Sequence, residues 1–478
     1  MRKRTKIITT LGPSTTSPEI LSDLISAGTD VFRLNLSHAK IDDAREILNK
    51  LKKSSSKLER PVAMLVDLQG QKIRTKGFLK EKFVDLKTNQ KFVLDCSLKD
   101  DEGDSSKVGV THKSLYKITK PKDEILLSDG LIKLSINKIN GNKIYTTVVR
   151  GGRLLPFQGL NKKGGGLLLK GITKKDITDL KKAVKLDIDY VAVSFVRNKE
   201  DLIAVKKITE KKNIGVIAKI ERNEALENID SILEHSDGIL IARGDLGVEI
   251  GIELLPAVQD ELISKAMDHD KLVIVATQMM ESMKTSRVPT RAEVFDVSNA
   301  ACSGVDAIML SAETAVGKYP AEVVQEASRI CDIAEKTSTK KIKIGDSGER
   351  FDKVDQIIAM TAVYGADRSN VKAIAALTET GSTPLWMSRI QSSIPIYAMT
   401  ANQKTSKRIC LYRGVYSIQL DKIEYDHARA NKQVIQLMEK QGAVKKGDLV
   451  IITKGDLMGT SGGTNALKIV EVGKLLKV

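Results

Sequence analysis

Eight short, nearly unbroken apolar runs fall at residues 6–10, 30–34, 62–67, 190–194, 215–220, 238–242, 272–276 and 307–310. Segments of helical length, such as 18–27 and 254–268, separate most of them. A strand that is apolar on both faces must be covered on both faces, and the intervening helices supply that cover. Eight such repeats predict a parallel (β/α)8 barrel, the TIM-barrel architecture. In this fold the C-terminal ends of all the strands converge on one face. Arg33 with Asn35, Asp67, Ser194 with Arg197, Lys219 with Glu221, Asp245, Thr277, and Ser311 with Glu313 all fall at or just after those ends. One polar residue there means little, but polar groups from seven strands predict a site.

More than a hundred residues separate the third run from the fourth, far too many for a βα connection. Alternating segments at 125–127, 131–136 and 143–149 lie within them. The expected organisation is a barrel domain at 1–70, an inserted small β-barrel lid at 71–170 and the rest of the barrel at 171–338. A C-terminal α/β regulatory domain at 339–478 has expected strands at 372–376, 395–399, 415–419 and 449–453. A chain of 478 residues exceeds the roughly 250–300 that one core can organise, in keeping with several domains.

The formal charge of +17 favours anionic partners. Aromatic residues are only 4% and no dense basic block occurs, so small phosphorylated metabolites fit better than nucleic acid. No apolar run approaches the roughly 20 residues needed to span a bilayer. The apolar run behind the basic start ends at Gly12-Pro13, too early for a signal peptide. Cys96, Cys302, Cys331 and Cys410 are scattered, as reduced thiols of a cytoplasmic protein would be.

Alternate residues of a strand share a face, so Lys219 and Glu221 point into one space. A local ion pair is the plain alternative. Asp245, in Ala242-Arg243-Gly244-Asp245-Leu246-Gly247, adds a second carboxylate facing it. Two carboxylate ligands, completed by phosphate oxygens and water, suit Mg²⁺ or Mn²⁺. Gly244 lets a ligand approach the backbone, whose amides are suited to holding a carboxylate.

These segments, with Ala276-Thr277-Gln278-Met279-Met280-Glu281-Ser282-Met283, Arg33-Leu34-Asn35-Leu36-Ser37-His38, Met309-Leu310-Ser311-Ala312-Glu313-Thr314 and the opening Thr5-Lys6-Ile7-Ile8-Thr9-Thr10-Leu11-Gly12-Pro13-Ser14, resemble the successive signatures of the pyruvate kinase family. Order and spacing match over essentially the whole chain. The resemblance implies a barrel with an inserted β lid and a C-terminal effector domain. It implies phosphoryl transfer from phosphoenolpyruvate to ADP in glycolysis, giving pyruvate and ATP, and a homotetramer. By the same resemblance Glu221 and Asp245 hold the divalent metal, and Lys219 and Arg33 neutralise the phosphoryl group. The amides of Gly244 and Asp245, with Thr277, bind the substrate carboxylate. Thr277 and Ser311 belong to the proton path, and Asn35, His38 and Arg74 lie at the nucleotide end. A lyase on a similar barrel and a catalytically silent relative are the alternatives.

Three departures from the family pattern stand out. Asp67-Leu68-Gln69-Gly70-Gln71-Lys72-Ile73-Arg74 carries lysine where the best-known form has glutamate. The family's K⁺ site corresponds to Asn35, Ser37, Asp67 and the backbone oxygen of Leu68. Lys72 is the expected K⁺ surrogate, with K⁺ not required. Gln158 stands where relatives place a nucleotide-binding lysine, so either Lys162 or Lys163 substitutes or nucleotide affinity falls. Thr378-Glu379-Thr380-Gly381-Ser382-Thr383 lacks the arginine common after its glycine. With a helix expected at 382–390, the resemblance makes this the loop where a phosphorylated activator docks.

Overall fold

The computed structural model describes residues 3–167, 171–338, 353–422, 424–457 and 462–474. Eight strands close into a parallel barrel in which each pairs with its sequence neighbour and the last pairs with the first. They are β1 (Lys6–Thr10), β2 (Val31–Asn35), β3 (Ala63–Asp67), β4 (Tyr190–Val193), β5 (Gly215–Ile220), β6 (Gly238–Ala242), β7 (Leu272–Ala276) and β8 (Ala307–Leu310). Most are buried at every residue, which is why they read as continuous apolar runs. Alternate residues divide between two layers. Ile7, Phe32, Val191 and Val216 face the surrounding helices, whereas Ile8, Val31, Tyr190 and Ile217 fill the barrel interior.

The second strand begins one residue later than expected, for a reason visible at the foot of the barrel. Asp30 stays outside the ladder, and its carboxylate accepts the amide of Ile7 at 2.9 Å. Asp189, Asp237 and Asp306 do the same for Met64, Val216 and Val273, at 2.7–2.9 Å. Each of these aspartates immediately precedes a strand. Together they tie neighbouring strands at the N-terminal rim, the face of this fold associated with stability.

The insertion leaves the barrel after β3. It holds a six-stranded sheet, whose outer strands are Leu160–Lys162 and Lys107–Gly109, and a two-stranded ribbon. Arg74 bridges to Gly159 and Thr75 to Val110, so the segment around Arg74 joins the two outer edges and closes the lid into a small barrel. The lid has its own core, with Phe92, Leu94, Ile125, Leu134 and Ile144 at its centre. The expected junctions at 170 and 339 involve residues outside those described.

The C-terminal sheet contains β9 (Val371–Leu377), β10 (Ile396–Thr400), β11 (Val415–Gln419), β12 (Leu449–Gly455) and β13 (Thr464–Glu471), in the order β11-β10-β9-β12-β13. The first four are parallel, as expected, and β13 is an additional antiparallel edge strand. Met387, Ile409 and Ile374 continue the apolar column of the barrel interior out through its foot. Among the described residues no helix is long and apolar enough to cross a membrane.

Candidate active site

The mouth of the barrel holds a buried, charge-compensated network. Arg33, near the end of β2, donates from Nε to Asp67 Oδ2 at 2.8 Å and from Nη1 to Thr10 Oγ1 at 3.0 Å. Lys219, on β5, lies 3.4 Å from the same Asp67 oxygen and 3.0 Å from Glu221 Oε1. Its third donor goes to Ser194 Oγ at 2.9 Å. Ser194 in turn donates to the carbonyl of Leu68 at 2.8 Å. Two cations and two carboxylates from three strands thus share one buried space.

The charges bias one another in opposite directions. Burial opposes the charge of Asp67, but Lys219 and Arg33 outweigh it and hold the carboxyl below its ordinary value. For Lys219 burial again opposes charge, and Asp67 with Glu221 outweighs it and raises the ammonium pKa. Glu221 goes the other way. Burial pushes its carboxyl up, Asp245 and Asp67 add to the rise, and Lys219 offsets only part of it. Glu221 also accepts the amide of Phe195 at 2.7 Å, which fixes one oxygen.

Asp245 opens the helix Arg243–Ile250 directly after β6. Its Oδ1 lies 2.6 Å from Lys72 Nζ, a contact not anticipated from the sequence. Next to it, the Gly244 amide donates to Thr277 Oγ1 at 2.9 Å, which joins two segments expected to hold one carboxylate. Thr277 sits at φ 72°, followed by Gln278 at φ 54°. A positive φ is costly for a β-branched residue. Buried Arg243 supports this turn, donating to the Thr277 carbonyl at 2.6 Å and pairing with Asp296 at 2.6 Å. Gly70, at φ 66°, lets the chain pass over the site, because a Cβ there would stand 2.8 Å from both Ser194 and Phe195 side-chain carbons.

The other expected residues surround this centre. The Asn35 side chain accepts the Ser37 amide at 3.0 Å, and the Leu36 amide donates to the Asp67 carbonyl at 3.0 Å. His38 is exposed at the rim, where partial burial and the charges of Arg74 and Arg33 lower its pKa. Arg74 donates to the Phe157 carbonyl at 3.0 Å on the lid. Ser311 follows β8 and precedes the single helical turn Ala312–Ala315, within which Glu313 is fully buried. Arg197 turns toward Asp201 in the first turn of the helix that follows it, at 3.4 Å. Lys162 and Lys163 lie 3.4 Å and 3.6 Å from Asp123 and Glu124 of the lid itself.

Sequence reasoning passed over Glu249, four residues beyond Asp245. It is buried beneath the lid's return path, where the Gly164 amide donates to its carbonyl and the Asn223 amide to its carboxylate. Burial raises its pKa to about 7, against the Asn223 hydrogen bond. The signal available was Gly164-Gly165-Gly166, all at positive φ of 72–79°, which marks the chain's re-entry into the barrel.

The residues present fit a divalent cation completed by substrate. Among the described residues no three His, Cys, Asp or Glu side chains form a metal cage. Glu221 and Asp245 instead offer two carboxylates, near enough that one raises the pKa of the other. Each already carries an ammonium group, Lys219 on one and Lys72 on the other. Mg²⁺ habitually binds through one or two carboxylates and fills the remaining positions with phosphate oxygens and water.

Comparison with known proteins agrees with this geometry along the chain. The pyruvate kinase barrel-domain model matches residues 2–324, and the pyruvate kinase alpha/beta-domain model matches 356–470. Pyruvate kinase II of Salmonella typhimurium is 43% identical over 476 residues, covering 98% of this chain and 99% of the relative. The pyruvate kinases of Haemophilus influenzae and Thermotoga maritima are 41% and 39% identical, again over 98% of this chain and 99% or more of theirs. With a closed eight-stranded barrel, an inserted lid and an α/β domain all in place, the chain belongs to the pyruvate kinase family.

Proposed function

We propose that the network at the barrel mouth transfers the phosphoryl group of phosphoenolpyruvate to ADP, without need of K⁺ and under control of a phosphorylated effector. The observation that carries the reading is the convergence of Arg33 and Lys219 on Asp67 and Glu221, with Asp245 beside them. Phosphoryl transfer asks chiefly for positioning and charge neutralisation, and this site consists of both.

Arg33 and Lys219 face the phosphoryl group, and Asp67 holds both cations in place while lowering their combined charge. The substrate carboxylate lies against the first turn of Arg243–Ile250, at the amides of Gly244 and Asp245, with Thr277 turning its hydroxyl to it. Glu221 and Asp245 hold the divalent cation. When bound there, Mg²⁺ or Mn²⁺ supplies Lewis-acid neutralisation of the substrate oxygens. The bond from phosphorus to the enol oxygen breaks as the terminal oxygen of ADP bonds to phosphorus. The enolate that remains is stabilised by the Lys219 ammonium until its methylene carbon takes a proton through the water-linked path of Thr277 and Ser311. ADP lies toward Asn35, His38 and Arg74.

K⁺ independence rests on Lys72, an ammonium on a flexible stem within reach of the mouth. Lys162 and Lys163 have carboxylate partners of their own, which favours weak nucleotide binding at Gln158 over replacement of the missing lysine. Effector binding rests on the loop before Ser382–Arg389, where Gly381 at φ 86° caps the helix and Thr380 and Ser382 hydroxyls stand together. A homotetramer is proposed on the family relationship alone.

The test is the initial rate of pyruvate formation from phosphoenolpyruvate, ADP and Mg²⁺ in a buffer whose only monovalent cation is organic. Full activity without K⁺ is expected, and Lys72→Glu should create a K⁺ requirement. A large K⁺ stimulation of the unmutated enzyme would overturn K⁺ independence, and no pyruvate would overturn the reaction. Ser382→Asp should abolish activation by sugar phosphates or nucleotides. If activation survives it, the effector does not dock there.

A further inference from the structure

We infer that Lys72 is an internal competitor of the divalent cation, occupying the Asp245 carboxylate until metal displaces it. The inference rests on the placement of that cation at Asp245.

Three contacts define the seat of the ammonium. Its Nζ lies 2.6 Å from Asp245 Oδ1 on the barrel and 3.9 Å from Asp129 Oδ1 on the lid. Gly159, just before the lid strand Leu160–Lys162, leaves room for the stem, because a Cβ there would come within 2.8 Å of Lys72 Cε and 3.4 Å of Nζ. The side chain is therefore held in a slot between lid and barrel.

A divalent cation taking Asp245 Oδ1, the oxygen Lys72 holds, at ordinary Mg–oxygen distance would lie within about 5 Å of an ammonium left in this position. Charges of +2 and +1 that close, in a partly desolvated cleft, repel strongly. Metal entry thus requires Lys72 to leave Asp245. The flexible lysine stem allows this, and exposed Asp129 lies beside it to receive the charge. Until then the ammonium keeps Asp245 paired. It also weakens intrinsic metal affinity, so that tight metal binding awaits the anionic substrate. Lys72 sets metal affinity, a role separate from contact with the reacting atoms.

The experiment is Mn²⁺ titration of the full-length protein without substrates, followed by electron paramagnetic resonance of the free ion. Lys72→Met should raise Mn²⁺ affinity by at least about tenfold. Gly159→Ala, which crowds the stem without removing the charge, should raise it by a smaller factor and serves if Lys72→Met fails to fold. Unchanged or weaker Mn²⁺ binding in both variants would overturn the inference. Asp245→Asn separates it from the proposed metal site. If Asp245→Asn abolishes binding and Lys72→Met leaves it unchanged, only the role of Lys72 fails. If Asp245→Asn binds Mn²⁺ normally, the metal placement fails and the competition with it.

Discussion

The two rims of the barrel both bury carboxylates among cations, yet they use them differently. At the foot, Asp306 is fully buried and saturated. Oδ2 accepts the Val273 amide and Arg389 Nη1 at 2.9 Å each, and Oδ1 accepts the Arg413 amide at 3.0 Å and a second Arg389 nitrogen. Asp189 takes the Met64 amide at 2.8 Å and Lys404 at 3.1 Å. At Asp30 burial opposes charge, but Lys3, Lys6 and Arg60 outweigh it and hold the carboxyl at about 2. Arg389, Lys404 and Arg413 all come from the C-terminal region, so this rim is where that region is bound to the barrel. At the mouth the pairs are shared among side chains of the barrel and the lid. Asp67 serves two cations, Lys219 serves two carboxylates, and Asp245 holds a lysine in a slot open to solvent. Saturation by groups of the C-terminal region marks the structural rim, and on the proposed reading the mouth is the rim where ligands exchange for partners.

Substitution at the mouth should separate activity from stability most sharply. Glu221→Gln or Asp245→Asn is expected to lower kcat by about a thousandfold or more while the melting temperature hardly moves. Rates at limiting Mg²⁺, paired with calorimetry, check this. At the foot the result should invert. Asp306→Ala strands Arg389 and should cost about 3–5 kcal/mol of stability. Its folded fraction should keep near-normal kcat. Loss of activity without loss of stability at Asp306 would break the contrast.

Glu249 sharpens the comparison, because it is buried like the foot carboxylates but, among the described residues, has no cation hydrogen-bonded to it. Its folded pKa of about 7 lies above the ordinary 4.5. The folded state therefore binds the proton more tightly, and the associated stability is complete below about 4.5 and lost as pH rises through 7. Glu249→Gln should remove a pH-dependent loss of at most about 3 kcal/mol, read from urea midpoints at pH 5 and pH 8. An identical pH dependence in the variant would show that the Glu249 carboxyl is not the source. The smallest expected effect is at the lid. Gln158→Lys should lower the KM for ADP by about tenfold, the worth of one charged contact to phosphate. An unchanged KM would remove Gln158 from the nucleotide end.

The barrel was legible because strands buried on both faces, such as Gly215–Ile220 and Leu272–Ala276, need apolar residues throughout. Strand β13 was not, because an edge strand half exposed to water carries no such run. The cluster of Arg33, Asp67, Lys219 and Glu221 could be foreseen, since strand ends fix where those side chains go. The Lys72–Asp245 contact could not. It joins positions 173 residues apart, and it depends on where the lid rests and on the missing Cβ of Gly159. The aspartates before β2, β4, β6 and β8 are a regular signal that periodicity overlooks, because each is a single polar residue just outside an apolar run. Glu249 was hidden because a lone glutamate near the end of a short helix reads as exposed until the returning lid and Asn223 cover it.

The exchange of partners proposed at the mouth is tested directly by the shift in melting temperature on adding Mn²⁺ with phosphoenolpyruvate. Ligands that bind only the folded state raise its stability by mass action. The unmutated protein should gain several degrees, about 2 kcal/mol or more at saturating ligand. Asp245→Asn should gain almost nothing, although its own melting temperature is close to normal. A full shift in Asp245→Asn would contradict the assignment of the mouth carboxylates to ligand exchange.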